Sequence, residues 1–267
     1  MLLRELARIE RLQREAGVKA RSGHRRRGDA AERREAHALP IAWREDEHMR
    51  LLALAPVVPR IAASAGIGRR LDRPHATLTF DDGPHPEGTP AVLDALDETG
   101  TKAIFFLVGE QAERYPELVT EVERRGHEIG IHCYEHKVQA RLSAAAVEHD
   151  MTRAIEVIGP RRFHRPPLGI YAPAGLRLAR ELELQPLLWS RWGKDWRKFT
   201  TPERIAARAT RELSAGDVVL LHDADHYSSK GSWQRTVAAL PEILAAVQPT
   251  GSGSGSSTAA TAFSHEK

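Results

Sequence analysis

Two aspartates stand side by side at Asp81 and Asp82, where the β-rich run of "TLTFDDGPHP" stops and Gly83 and Pro84 turn the chain. In a poorly solvated pocket two adjacent carboxylates cannot both stay ionised cheaply, so one holds a proton or a cation compensates. "IHCYEHKV" carries His132 and His136, an i, i+4 pair whose imidazoles point the same way on one helical turn or in a tight loop. Two histidines with the carboxylate of Asp82 make a ligand set with open positions for water and substrate. That suits catalytic zinc or a related divalent transition metal. Each piece also has an ordinary reading. HxxxH fits two surface histidines, and an Asp pair before Gly-Pro fits a turn that caps a neighbouring loop or helix.

Three further stretches could contribute to the same chemistry. "FHRPPLG" puts Arg165 before two prolines that stiffen an extended loop and would hold the guanidinium toward a fixed partner; a structural salt bridge is an equal reading. "WGKDW" sets Asp195 beside Trp196, where an aromatic next to a carboxylate lines a sugar groove or fills a core gap. "VVLLHD" ends an apolar run on His222, and an imidazole there with a carboxylate neighbour is placed for general acid work.

The elements that must position these residues are short β-rich runs alternating with amphipathic helices from about residue 74 onward, the pattern of a parallel α/β fold. Strands are expected at 75–80, 102–109, 127–132, 161–167, 185–192 and 216–223. Helices are expected at 89–98, 111–125, 143–158, 174–183, 202–214 and 233–247, with Gly100, Gly126, Gly159 and Gly216 at helix ends or turns. Such an alternation closes into a barrel more readily than it lies open, although periodicity does not choose. Asp81, Asp82, His132, Arg165, Asp195 and His222 all fall at or just beyond strand C-termini, where parallel α/β folds gather catalytic groups.

Length and composition, 267 residues with 41% hydrophobic content, allow one large domain or two small ones. No apolar run reaches the roughly eighteen residues a membrane-spanning helix needs. The single cysteine, Cys133, excludes an internal disulfide framework. Of the net charge of +3, residues 1–50 hold +4 (13 Lys/Arg against 9 Asp/Glu) and the remainder −1. We read residues 1–73 as a charged extension, helical over "MLLRELARIERLQREAG" or partly disordered, and its basic stretch "KARSGHRRRGDAAERR", without aromatics, as solvated surface and no nucleic-acid site. The Gly/Ser-rich tail, 248–267, is expected to be disordered. The expected location is cytoplasmic, with export open to a chain started at Met49, where "LLALAPVV" follows Arg50.

TFDDGP, GHEIGIHCYEH, RPPLG, KDW and LLHD occur in the order of the five signature motifs of the NodB-homology polysaccharide deacetylases, carbohydrate esterase family 4, which the chain resembles over residues 74–247. The resemblance implies an irregular (β/α)7-type barrel and removal of acetyl groups from N- or O-acetylated sugars. It implies one divalent metal, zinc or else cobalt, nickel or another transition metal, on Asp82, His132 and His136, with Asp81 as catalytic base held by Arg165. His222 becomes the general acid tuned by Asp195, the backbone of Leu168 the oxyanion donor, and Trp196 with Leu220 the wall of the acetyl pocket. The chain departs from the family at Cys133, where a Ser or Thr hydroxyl usually braces the metal loop, and at Leu168, usually Tyr. A third departure is the strand count. Six strands are legible, so the last is missing or replaced, with residues 51–61 available to cover the edge. Other readings are a deacylase of a small amide or glycoconjugate, favoured by few aromatic platforms beyond Trp192, Trp196 and Trp233, and a non-catalytic carbohydrate-binding protein.

Overall fold

The computed structural model describes residues 49–247, so the expectations for the amphipathic opening, the basic stretch and the tail lie outside the described residues. Seven parallel strands form one sheet: β1 (Thr77–Asp81), β2 (Ile104–Leu107), β3 (Glu128–Ile131), β4 (Phe163–His164), β5 (Gln185–Pro186), β6 (Arg191–Trp192) and β7 (Val218–His222). Their order is β5-β4-β3-β2-β1-β7-β6, a sheet curled into a half-barrel. The helices are α1 (Pro59–Ser64), α2 (Gly88–Asp97), α3 (Gly109–Arg114), α4 (Pro116–Arg124), α5 (Ala144–Ile158), α6 (Pro173–Glu181), α7 (Pro202–Thr210) and α8 (Ser232–Val247). Among the described residues no helix is long and apolar enough to cross a membrane.

The central strands are buried on both faces, which is why they read as near-continuous apolar runs. Successive side chains point to opposite faces, so each strand feeds two layers. Leu78, Phe80, Phe105, Leu107, Val219 and Leu221 pack with Leu93, Leu96, Ile205, Leu240 and Ile243 of the helices. Ile104, Phe106, Val218 and Leu220 pack on the other side with Leu187, Leu188 and Trp189. Leu52, Ala55, Ala62 and Ile67, grouped by sequence with the extension, belong to this second layer.

The seven strands are reached by a route the sequence hides. The run 185–192, read as one strand, is two strands at opposite edges of the sheet. Between them Leu187 donates its N–H to His164, Leu188 to Gly68 and Ser190 to Val218, so the partner changes from β4 to β7 within a few residues. Gly68 pairs with Leu187, which sets the segment before β1 beside β5. The expected helix 111–125 is likewise two, α3 and α4, broken at Tyr115 because Pro116 disfavours helical backbone in the residue before it.

Register aligns the chemistry. Asp81 is the partner of His222 where β1 meets β7, and Ile131 of His164 where β3 meets β4, which brings the following residues, His132 and Arg165, together. The sheet thereby delivers four functional side chains to one rim.

Candidate active site

Asp82 follows the end of β1 with φ 79°, a left-handed conformation that turns its carboxylate off the strand direction. The turn is packed tightly. A Cβ on Gly83 would lie 2.5 Å from the Asp223 carboxylate, and one on Gly88 would lie 2.0 Å from the Asp223 carbonyl oxygen and 3.0 Å from Trp233 Cγ. Asp223 is fully buried, accepts a hydrogen bond from the Thr89 hydroxyl, and burial pushes its carboxyl up to about 7. Thr89 in turn accepts the His85 N–H at 2.8 Å, so the β7 end clamps the "DDGPHP" loop. We expect Gly88→Ala to destabilise the fold by about 1–3 kcal/mol through overpacking, read as a lower urea midpoint at unchanged slope.

Asp82 Oδ1 lies 3.2 Å from His136 Nε2 and 3.4 Å from His132 Nε2. It is buried and accepts no hydrogen bond among the described residues. An anionic oxygen with no donor is costly unless a cation satisfies it. His132 donates Nδ1–H to the Arg165 carbonyl at 2.7 Å, which leaves the Nε2 lone pair facing Asp82. Ligand atoms of Asp82, His132 and His136 all lie within 4.8 Å of one another, and the donor set of two imidazoles and a carboxylate fits a divalent transition metal. Burial acts to raise the Asp82 pKa; with no cation bound, protonated His136, His132 and His222 would outweigh it and hold the carboxyl well below its usual range.

The loop that carries His136 is braced where the sequence suggests a weakness. Cys133 is buried with φ 67°, and its thiol accepts from Gln139 Nε2 at 3.4 Å and meets His164 Nε2 at 3.6 Å. Burial pushes this thiol well up and His164 down to about 3, so both are neutral. The stronger brace is Asp150 on α5, which accepts the N–H of Tyr134 at 3.2 Å and of Glu135 at 2.8 Å. Tyr227 stacks on His136, rings 4.2 Å apart and 5° from parallel, with its hydroxyl donating to Glu110 and accepting from Gln111.

Arg165 is fully buried and donates to Asp81 Oδ1 at 2.6 Å, Thr79 Oγ1 at 2.9 Å, and the carbonyls of Leu187 at 2.9 Å and Leu188 at 3.2 Å. Its guanidinium lies 3.9 Å above the Phe106 ring. Opposite, His222 donates Nδ1–H to Asp195 Oδ1 at 2.9 Å and its backbone N–H to Oδ2 at 2.7 Å, while Thr236 holds Oδ2 at 2.8 Å. His222 Nε2 therefore faces Asp82, 3.9 Å from Oδ2. Leu168, in the left-handed region at φ 59°, lines one cavity with Asp81, Asp82, His132, His136, Trp196, Leu220 and His222. Arg165 and Asp195 sit buried behind it, so all ten residues singled out by sequence converge. Sequence reasoning missed Asp223, Asp150 and Tyr227. Only Asp223, beside His222 in "LLHD", had a local signal.

Fold and site together define a parallel α/β half-barrel with a candidate metal centre flanked by Asp81 and His222, each held by a buried charged partner. Residues 68–187 match the family model described as polysaccharide deacetylase. A peptidoglycan-N-acetylglucosamine deacetylase of Bacillus cereus is 38% identical over 181 residues, 65% of this chain and 82% of that one. A chitooligosaccharide deacetylase of Azorhizobium caulinodans is 31% identical over 186 residues, 65% of this chain and 88% of that one. The solved family 4 carbohydrate esterase from Streptomyces lividans superposes with a TM-score of 0.58 at 27% identity, over 64% of this chain and 86% of that one. The chain belongs to the polysaccharide deacetylase family, carbohydrate esterase family 4, and is a hydrolase of carbon–nitrogen bonds other than peptide bonds. Deacetylases of this family use a divalent metal.

Proposed function

We propose that this protein removes the acetyl group from an N-acetylated sugar, using one divalent cation, preferentially zinc, held by Asp82, His132 and His136. The observation that supports this most is the buried Asp82 Oδ1, without a hydrogen-bond partner among the described residues and facing two imidazole nitrogens, with Asp81 and His222 on the same rim. When bound, the cation supplies Lewis acidity, lowering the pKa of water and polarising the amide carbonyl. Asp81 accepts the proton of the attacking water, and the Arg165 guanidinium, donating to its Oδ1, keeps the carboxylate aimed. The Leu168 N–H donates to the carbonyl oxygen as negative charge develops there. Trp196 and Leu220 take the acetyl methyl in the apolar part of the cavity. His222, oriented by Asp195, donates its Nε2 proton to the departing amine.

The test is acetate release from N-acetylated chito-oligosaccharides by purified protein, stripped with chelator and reloaded with zinc, cobalt or nickel. Reloading is expected to restore turnover, and Asp82→Ala to lose both the cation and at least about 10³-fold of kcat. A protein that binds the cation yet releases no acetate from these sugars or from a panel of small amides would be a binding module, and the deacetylase reading would fall.

A further inference from the structure

The loop from β6 to α7, residues 193–201, turns Asp195 inward and carries Lys194, Arg197 and Lys198 at its surface. None of these three cations has a carboxylate partner among the described residues. Lys194 adopts φ 55°, a backbone that disfavours lysine, and its Nζ stands 4.3 Å over the ring of Trp192, which lines the cavity. Partial burial, then the neighbouring Arg197 and Arg208, hold this ammonium below its ordinary range, as befits cations gathered without an anion. Carboxylates on the other rim loops are engaged: Glu110 by Tyr227, Glu135 by Lys137, Asp225 by the Gly231 N–H, while Glu87 lies beside His85. Lys230, on the loop that carries Tyr227 and Ser228, adds another cation without a carboxylate partner among the described residues.

We propose that Lys194, Arg197 and Lys198 form a subsite for a carboxylate on the substrate, so that the enzyme takes an acetylated glycan bearing an acidic group near the sugar it deacetylates in preference to a neutral one. This rests on the deacetylase reading above. Exposed cations each contribute weakly and are screened by salt, but several converging on one anion reinforce one another and speed its capture. None of the three touches the reacting atoms, so their effect falls on KM and leaves kcat alone.

The experiment uses the zinc-loaded full chain and two probes, a neutral N-acetylated chito-oligosaccharide and a peptidoglycan-derived oligosaccharide containing N-acetylmuramic acid. The triple variant Lys194→Gln/Arg197→Gln/Lys198→Gln is expected to raise KM for the acidic probe about tenfold at low salt, with kcat and both constants for the neutral probe within about twofold. Wild type in high salt should show the same selective loss, and Lys194→Arg should retain wild-type KM. Should the triple variant not fold, Arg197→Gln/Lys198→Gln, both exposed, is expected to give about a threefold selective rise. Equal changes on both probes, or none on either, overturn the subsite while leaving the deacetylase reading intact. A wild type that turns over neither probe removes that reading and this proposal with it.

Discussion

Replacing Asp81 with asparagine is expected to lower kcat about 10³-fold, within the range that removal of a general base produces, while the protein keeps its bound cation. The side chains are nearly isosteric, and the amide oxygen still accepts from Arg165 Nη1, which Asp81 Oδ1 now does at 2.6 Å. Asparagine cannot take a proton from the attacking water. Because Asp81 is the register partner of His222 and is not in the Asp/His/His cluster, cation affinity should stay within a few-fold of wild type by calorimetry. A variant retaining more than a tenth of wild-type kcat with full metal occupancy would show that another group is the base.

Arg165→Met is expected to destabilise the fold by about 3–5 kcal/mol, because it leaves the Asp81 carboxylate buried without its partner. Methionine matches the stem and sits acceptably against Phe106, so little of the loss should come from packing. Three further acceptors lose a donor: the Thr79 hydroxyl and the carbonyls of Leu187 and Leu188. The double variant Arg165→Met/Asp81→Asn removes the orphan charge and should recover at least half of the loss in urea unfolding, although it stays inactive. If the single variant costs under about 1 kcal/mol, the pair is solvated and Arg165 does not hold the base.

How much of this was legible in the sequence varies residue by residue. The strands β1, β2 and β7 were plain because burial on both faces writes itself as "TLTF", "IFFL" and "VVLL". The convergence of Asp81, Asp82, His132, Arg165, Asp195 and His222 was legible because parallel strands present their C-terminal ends on one rim. The seventh strand was hidden in residues 185–192. A run of extended residues looks the same whether it keeps one partner or passes from β4 through Gly68 to β7. The inward packing of Leu52 and Ile67 was equally silent, since a short apolar segment ahead of the first strand carries no mark of what it covers.

By itself the sequence determined the chemistry available here: which side chains can ligate, accept or donate a proton, and on which strand ends they fall, because these depend on residue type and local periodicity. Only the tertiary structure decided how they are held. The Asp150 brace under the Cys133 loop, the Asp223–Thr89 clamp, the Tyr227 stack on His136 and the loop whose cations Lys194, Arg197 and Lys198 have no carboxylate partner among the described residues join residues far apart in the chain or depend on the absence of a partner. Hydrogen bonds and burial act through space, and spacing along the chain carries no record of them until the strands are registered.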